Sequence, residues 1–271
     1  MNLKEASFNA SKVNVNYAEG PDNGPPMVLI HGLSGRWQNW MPVIPSLVGS
    51  WHVYAMDLRG HGLSGRADGY RFNDYPLEVV ALVRDVIGER SFLVGHSLGA
   101  IAALGVAAVT PELVRAAVLE DPPLYTHRRF NGSNFAPRFR QIHDLLTSGA
   151  GEDQIHETLV REHPGADPAT LAGRAASLAQ ADPAVYEAVI SGRSTVDYDV
   201  EKVMRKVTAP VLLLQANPGM GGALEDQEAE RAAALVQGCQ LVKWRESGHN
   251  MHVSKPNEFA TLVKRFFAAR I

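Results

Sequence analysis

Short apolar runs alternate with helical patterns along most of the chain. Six runs of four or five largely apolar residues stop at polar or turn-forming residues, which is typical of strands covered on both faces of a sheet. These runs are Met27–Ile30, Val53–Met56, Ser91–Val94, Ala116–Leu119, Val211–Leu214 and Gln240–Trp244. Because strands that alternate with helices form mostly parallel sheets, we predict a doubly wound α/β fold.

The segments between these runs show apolar residues at helical spacing. Leu77–Ile87, Asp226–Val236 and Glu258–Ala269 are amphipathic, whereas Leu98–Val109 is almost wholly apolar and predicts a buried helix. The stretch Asn9–Glu19 alternates polar and apolar residues, which predicts an antiparallel hairpin at the edge of the sheet. With the hairpin counted, the run Ala116–Leu119 is the sixth strand.

The alternation stops over about residues 122–207, where no clear apolar strand occurs. Helix-like segments punctuated by Gly and Pro fill this stretch. They lie near Phe135–Thr147, Glu152–Arg161, Pro168–Gln180 and Pro183–Ile190. We therefore predict a helical insertion over 122–207 after the sixth strand, and a core built from 1–121 and 208–271.

Composition narrows the class of protein. The 271 residues are 45% hydrophobic and carry a net charge of −3, so there is no basic excess of the kind that nucleic-acid binding requires. The one cysteine, Cys239, excludes an intrachain disulfide and a Cys-rich zinc site. No signal-peptide pattern and no run of 18 apolar residues occurs, so we expect a cytoplasmic protein without a membrane span. A homodimer is compatible with the sequence.

Gly95-His96-Ser97-Leu98-Gly99 is the strongest chemical signal. It follows a predicted strand and opens the apolar helix, which is the context of a nucleophile elbow. A turn from strand to helix within one residue forces Ser97 into a strained conformation and lifts its hydroxyl off the sheet. The amide of Leu98, at the start of the helix, would then stabilise a developing oxyanion.

A serine hydroxyl needs a neighbouring base, and His249 is the best placed of ten histidines. It lies in a loop after the last predicted strand, and such a loop reaches the same end of a parallel sheet as the elbow. His252 lies three residues on, but no carboxylate or cysteine cluster in the sequence supports a metal pair, so we predict no metal site.

His31-Gly32-Leu33-Ser34-Gly35 follows the first parallel strand. The glycines allow the backbone to approach a reacting carbonyl, so the amide of Leu33 is the candidate for the second oxyanion donor. We expect His31 itself to brace the loop.

The chain resembles the α/β-hydrolase superfamily at four motifs. These are His31-Gly32, Asp57-Leu58-Arg59-Gly60-His61-Gly62-Leu63-Ser64, Gly95-His96-Ser97-Leu98-Gly99 and Gly248-His249. The resemblance covers about residues 25–121 and 205–271. It implies a Ser–acid–His triad and a helical cap over the substrate pocket, while the stretch from Asp57 to Ser64 shapes a loop.

The position of the acidic triad residue departs from the commoner pattern of the family. Most similar members place an Asp shortly after the strand that is Val211–Leu214 here, yet this chain reads Gln215-Ala216-Asn217-Pro218-Gly219. Other members carry the acid at the end of the preceding strand, where this chain has Glu120 and Asp121. We favour Asp121 because it lies at the exit of that strand. Asp226, Glu120 and Glu225 stay open as alternatives.

These residues predict a cofactor-free serine hydrolase that cleaves a small-molecule ester or lactone through an acyl-enzyme. The alternatives are a carbon–carbon bond hydrolase acting on a diketone-like acid, and a ligand-sensing protein with little turnover. Arg128 and Arg129 open the insertion, and we favour a solvated surface pair there over the binding of a substrate carboxylate. Trp37, Trp40 and Tyr125 are candidates for either a pocket wall or the core.

Overall fold

The computed structural model describes residues 3–125, 128, 130–133 and 135–271. The strands in this part of the chain are β1 (Lys4–Ala10), β2 (Val13–Glu19), β3 (Pro26–Ile30), β4 (His52–Met56), β5 (Ser91–His96), β6 (Val114–Glu120), β7 (Val211–Ala216) and β8 (Gln240–Trp244). The α-helices are α1 (Ile44–Leu47), α2 (Pro76–Ala81), α3 (Leu98–Val109), α4 (Phe135–Thr147), α5 (Glu152–Glu162), α6 (Pro168–Ala179), α7 (Pro183–Ile190), α8 (Val200–Met204), α9 (Asp226–Leu235), α10 (Met251–Ser254) and α11 (Pro256–Ala268). A π-helical turn, Leu82–Ile87, continues α2.

One sheet holds all of these strands in the order β1-β2-β4-β3-β5-β6-β7-β8. The hairpin β1–β2 is antiparallel and pairs antiparallel with β4, while the neighbours from β4 to β8 are parallel. The mostly parallel sheet with helices on its faces confirms the predicted fold class. Helices α4 to α8 lie between β6 and β7, as expected for an insertion after the sixth strand. Its boundaries at 122 and 207 stay a prediction.

The sheet separates two apolar cores because successive side chains of a strand point to opposite faces. Val28 and Ile30 of β3 pack in the cluster that contains α3, whereas Met27 and Leu29 pack in the cluster that contains the apolar face of α11. A third cluster lies within the inserted helices. It comprises Ile142, Ile155, Leu159, Leu171, Ala175, Leu178, Ala181 and Tyr186.

Side-chain hydrogen bonds fasten the inserted helices to loops of the sheet. Tyr186 of α7 donates to the Oγ of Ser34 in the loop after β3 at 2.6 Å. Tyr70, in the loop after β4, donates to the carboxylate of Asp182 at 2.6 Å, immediately before α7 begins. The insertion is therefore held against the carboxyl ends of β3 and β4. Among the described helices, none has the length and apolar character needed to cross a bilayer.

Three buried histidines lie beneath these loops. The Nε2 of His31 accepts from the amide of Leu58 at 3.0 Å, so the ring is neutral and donates through Nδ1 to its own loop. Burial lowers the pKa of His31 to about 4. Burial and the neighbouring His31 lower the pKa of His61 to about 3, and burial with two adjacent imidazoles lowers the pKa of His96 well below its ordinary value.

These pKa shifts predict that the fold loses stability as the pH falls from 6.5 to 5. Because the pKa of each histidine is lower in the folded protein, the unfolded chain takes up protons first below pH 6.5. Each group then removes about 1.4 kcal/mol of unfolding free energy per pH unit. Urea unfolding at several pH values measures the slope, and His61→Gln should reduce it by about 1.4 kcal/mol per unit.

The matched control is His163→Gln, at an exposed position on the insertion, which should leave the slope unchanged. Equal slopes for the wild type and His61→Gln between pH 6.5 and 5 would contradict this account of the buried imidazoles.

Candidate active site

The chain turns from β5 to α3 at a single residue, Ser97. Its φ of 52° and ψ of −113° lie in a region that side chains with a Cβ rarely occupy. The amide of Ser97 donates to the carbonyl of Glu120 at 2.9 Å, which ties the turn to the end of β6. Strain of this kind persists only where the surroundings enforce it, and it is concentrated at functional sites.

Two glycines make this turn sterically feasible. A Cβ on Gly95 would overlap the carbonyl oxygen of Gly99, and a Cβ on Gly99 would overlap the carbonyl oxygen of Ile30. The helix start is therefore pressed against both its own strand and β3. Gly32 meets the same turn from the other side, since a Cβ there would lie 2.7 Å from the Nδ1 of His96.

The two residues whose amides are expected to bind an oxyanion, Leu33 and Leu98, line one cavity. Leu98 is the first residue of α3, where backbone N–H groups have no partner within the helix. Leu33 belongs to the turn after β3, and both leucines line the cavity together with Ser97. Ser34, next in this turn, has a φ of 69°, so the loop that carries Leu33 is itself tightly bent.

His249 contacts the carboxylate of Asp121. Its Nδ1 lies 2.6 Å from Oδ2, and the Asp121 side chain is wholly buried. The carboxylate also accepts from the amides of Ala216 at 3.2 Å and Ala223 at 2.7 Å. These bonds fix the carboxylate, and the carboxylate in turn fixes the ring of His249 with its Nδ1 as donor.

Ser97 and His249 line the same cavity, but the hydrogen bonds of the described residues include none between the serine Oγ and the imidazole. Such bonds are often long without substrate and tighten when it binds. The candidate nucleophile, Ser97, and the candidate base, His249, therefore both line one cavity.

Glu120 and Asp121, adjacent at the end of β6, serve two different histidines. Glu120 accepts from the backbone amide of His252 at 2.9 Å and from its Nδ1 at 2.8 Å, with both side chains buried. His96 bonds the carbonyl of His249 through Nε2 at 3.0 Å. Glu120 therefore does not reach His249, contrary to one sequence alternative, and instead holds the backbone that carries it.

This cluster is the feature that sequence reasoning missed. His96, Glu120 and His252 bring three potential ligand atoms within 4.8 Å of one another, although the sequence showed no carboxylate near His252. The hydrogen bonds from the backbone amide and Nδ1 of His252 to Glu120 account for the burial of both side chains. A signal was present in the pair of acidic residues at the strand end.

The remaining acid candidates lie elsewhere. Asp226 binds the guanidinium of Arg245 at 2.8 Å and accepts from Gln215 at 2.8 Å, and these bonds lower the pKa of Asp226 to about 2. Glu225 precedes α9, where its amide donates to the carboxylate of Glu228 at 2.9 Å. Neither carboxylate is brought to His249.

The cavity has a volume of about 270 Å³, which suits a small molecule. Its walls come from the elbow, the loops after β3 and β7, and the inserted helices, with aromatic rings from the insertion on one side. Its lining residues include Leu33, Ser97, Leu98, Phe130, Phe135, Arg138, Phe139, Ala223, His249 and Asn250.

Several residues singled out in the sequence lie away from this cavity. Trp37, Trp40 and Tyr125 are buried and do not line it. Arg128 is exposed, with its guanidinium 4.8 Å from the Tyr125 ring centroid and 4.0 Å from Glu201. Arg129 lies outside the described residues.

The first part of the loop after β4, from Asp57 to Ser64, is structural. Asp57 accepts from the amides of Trp37 at 2.7 Å and Leu63 at 3.0 Å, and from the side chain of Asn16 at 2.9 Å. Gly62, at a φ of 54°, lies so close to this carboxylate that a Cβ would overlap it. The stretch from Asp57 to Ser64 shapes the loop and contributes no side chain to the cavity.

The fold and this arrangement of residues are those of an α/β hydrolase. The model of the Alpha/beta hydrolase family matches residues 27–262, and the chain belongs to that family.

Two relatives in sequence are similar to the chain over about 100 residues each. A 2-(acetamidomethylene)succinate hydrolase from Mesorhizobium japonicum is 38% identical over 100 residues, which are 36% of each chain. A serine hydrolase-like protein from Danio rerio is 35% identical over 105 residues, or 38% of this chain and 32% of its own length. The chain thus spans about a third of the length of these curated relatives.

Solved structures resemble the whole chain. A crystal structure of E-2-(acetamidomethylene)succinate hydrolase matches with a TM-score of 0.78 at 21% identity, over 98% of this chain and 100% of that one. An N-formylmaleamic acid deformylase from Pseudomonas putida S16 matches with a TM-score of 0.79 at 20% identity, over 96% and 100%. At these identities the likeness shows the shared fold.

The pairing of Glu120 with His252 predicts a large structural cost for Glu120→Gln. The neutral amide would weaken the hydrogen bonds that the buried carboxylate accepts from His252, and a hydrogen bond to a charged group contributes about 1.5–3 kcal/mol of unfolding free energy. Urea unfolding at pH 7 measures the change. Glu246→Gln is the control, because Glu246 contacts Lys255 at 3.0 Å on the surface and should cost less than about 1 kcal/mol. Equal costs for the two variants would contradict the assignment.

Proposed function

We propose that the protein is a serine hydrolase in which Ser97, His249 and Asp121 form the catalytic triad. The observation that carries this proposal is the 2.6 Å contact between the imidazole of His249 and the buried carboxylate of Asp121, in a cavity that also exposes Ser97. The family of the chain and the strained turn at Ser97 support it.

In the proposed mechanism, Ser97 Oγ attacks a carbonyl carbon and passes its proton to the Nε2 of His249. The carboxylate of Asp121 holds the imidazole in the tautomer that leaves Nε2 free to accept, and stabilises the imidazolium that forms. The amides of Leu33 and Leu98 donate to the oxyanion. The imidazolium then protonates the leaving group, and His249 activates a water that hydrolyses the acyl-enzyme.

We propose a small carboxylic ester or lactone as the substrate, with the inserted helices acting as a cap over 122–207. The small volume of the cavity and its aromatic wall support a compact acyl group. Among the similar proteins, one is named a succinate-derivative hydrolase and another a deformylase, so amide substrates belong in the same activity panel.

Carbon–carbon bond cleavage is the second candidate, because the described lining of the cavity includes an arginine, Arg138, that would suit a diketone-like acid. A ligand-sensing protein is the third. Assays with 4-nitrophenyl esters and with a vinylogous diketo acid separate these candidates. Ester turnover that depends on Ser97 favours the esterase, carbon–carbon cleavage alone favours the second candidate, and binding without turnover favours the sensor.

Ser97→Ala should abolish covalent labelling by a fluorophosphonate and ester turnover, because the phosphorus atom and the acyl carbon bond to the same Oγ. Labelling is measured by intact-protein mass spectrometry. Ser177→Ala, at a buried serine of α6 whose Oγ donates to Gly173, is the matched control and should label like the wild type. Stoichiometric labelling of Ser97→Ala would overturn the assignment of the nucleophile.

Asp121→Asn should lower kcat by about 10²–10⁴-fold, because an amide beside Nδ1 favours the wrong tautomer of His249. Steady-state kinetics with the best ester of the panel measures the loss. Asp226→Asn is the control, since Asp226 binds Arg245 away from His249, and should change kcat by less than about threefold. A larger loss in Asp226→Asn than in Asp121→Asn would show that the acid is misassigned.

A further inference from the structure

We propose that the substrate carries a carboxylate and that Arg138 binds it in the cavity. This inference rests on the proposed function and narrows its substrate class, because it concerns the same cavity that exposes Ser97 and His249.

Helix α4 presents Arg138 to the cavity together with two phenylalanines. Phe135, Arg138 and Phe139 fall on one face of the helix because residues three or four positions apart are neighbours on its surface, and all three line the cavity. The Phe135 ring centroid lies 5.6 Å from that of His249. Arg138 is therefore within the same wall as a ring that contacts the candidate base.

No carboxylate neutralises this guanidinium. The described lining of the cavity contains neither Asp nor Glu, and the six residues outside the description, at positions 1, 2, 126, 127, 129 and 134, include no acidic residue either. Within the described residues, Arg138 makes no hydrogen bond and no ion pair, whereas Arg140 on the same helix donates to Asn131 at 2.6 Å. Arg138 is the arginine of this helix whose donors are left for a ligand.

Arg138 is an exposed residue whose guanidinium lines two adjoining spaces. Its side chain is accessible from the cavity and from an adjoining groove, yet protein atoms around it lower the pKa of the guanidinium by desolvation. Arg174 on α6 carries a second guanidinium. Burial lowers its pKa most, and the nearby charge of Arg138 lowers it further. The Nε of Arg174 is buried without a partner.

Of these two neighbouring guanidinium groups, Arg174 has the carboxylate of Glu162 near enough to raise its pKa, whereas no carboxylate of the described residues pairs with Arg138. A bound carboxylate would accept two parallel hydrogen bonds from one guanidinium and offset the charge of both. Among the described residues that line the adjoining groove, the acidic one is Glu225, and it does not line the cavity. An anionic substrate therefore fits where a neutral one would leave the guanidinium partly desolvated and unpaired.

The kinetic test compares esters that differ in one charge. On the acyl side, 4-nitrophenyl hemisuccinate is compared with 4-nitrophenyl 4-methylpentanoate, in which an isopropyl group replaces the carboxylate. On the leaving-group side, 4-acetoxybenzoate is compared with 4-acetoxyacetophenone. We expect Arg138→Met to lower kcat/KM by about 10–100-fold for the anionic member of at least one pair, and by less than about threefold for the neutral members.

Two further variants sharpen the test. Arg138→Lys keeps the charge without the planar fork and should recover part of the loss for the anionic ester. Arg128→Met removes an exposed arginine of the insertion that lies outside the cavity and should change neither member of a pair. An unchanged ratio of anionic to neutral kcat/KM in Arg138→Met, in both pairs, would overturn the inference.

A binding measurement keeps this outcome separate from the proposed hydrolysis. Isothermal titration with glutarate and with benzoate should detect millimolar or tighter binding to the wild type and to Ser97→Ala. The substitution Arg138→Met should abolish this binding. Carboxylate binding with no ester turnover in the wild type would overturn the hydrolase proposal and support the anion site. The opposite result is ester turnover that depends on Ser97, together with acids that bind Arg138→Met as well as the wild type or bind neither protein. It would support the hydrolase proposal and overturn the anion site.

Discussion

The close approach of three backbone segments at the elbow is the constraint on which the site depends. Gly99 lies against the carbonyl of Ile30, Gly95 against Gly99, and Gly32 beside His96, with no room for a Cβ at any of the three. This packing holds Ser97 at a positive φ and brings the turn after β3 to the start of α3. The strain at one serine is therefore maintained by contacts among glycines, and its cost is distributed over the centre of the sheet.

The end of β6 adds a second constraint. Glu120 ends β6 and Asp121 follows it at a φ of 43°, and the two carboxylates bind His252 and His249 in turn. The bond from His96 to the carbonyl of His249 joins this loop to the residue before Ser97. Three short stretches of chain, far apart in sequence, thus depend on one another for their positions.

The sequence predicted the parts of the fold that have local signals. Helix α3 begins and ends where the apolar stretch from Leu98 to Val109 indicated, because its residues from Leu98 to Ala108 are buried. Helix α8 was missed, since five residues, from Val200 to Met204, are too few for a periodic pattern. The contact of His249 with one of several nearby acids was left open for a different reason: it depends on how loops from separate strands meet. Arg138 was missed because no local pattern shows which arginine of the insertion turns inward.

The hydrogen bonds that hold the insertion to the sheet have a consequence for how small molecules enter and leave the cavity. Tyr186 and Asp182 secure α7 to the loops after β3 and β4, which closes that flank. On the other flank the cavity and the adjoining groove share Arg138, Ala223 and His249. Arg138 lines both spaces, and Pro218 and Met220 of the turn after β7 line the groove. Changes in that turn would alter the pace of exchange with solvent while leaving the reacting groups untouched.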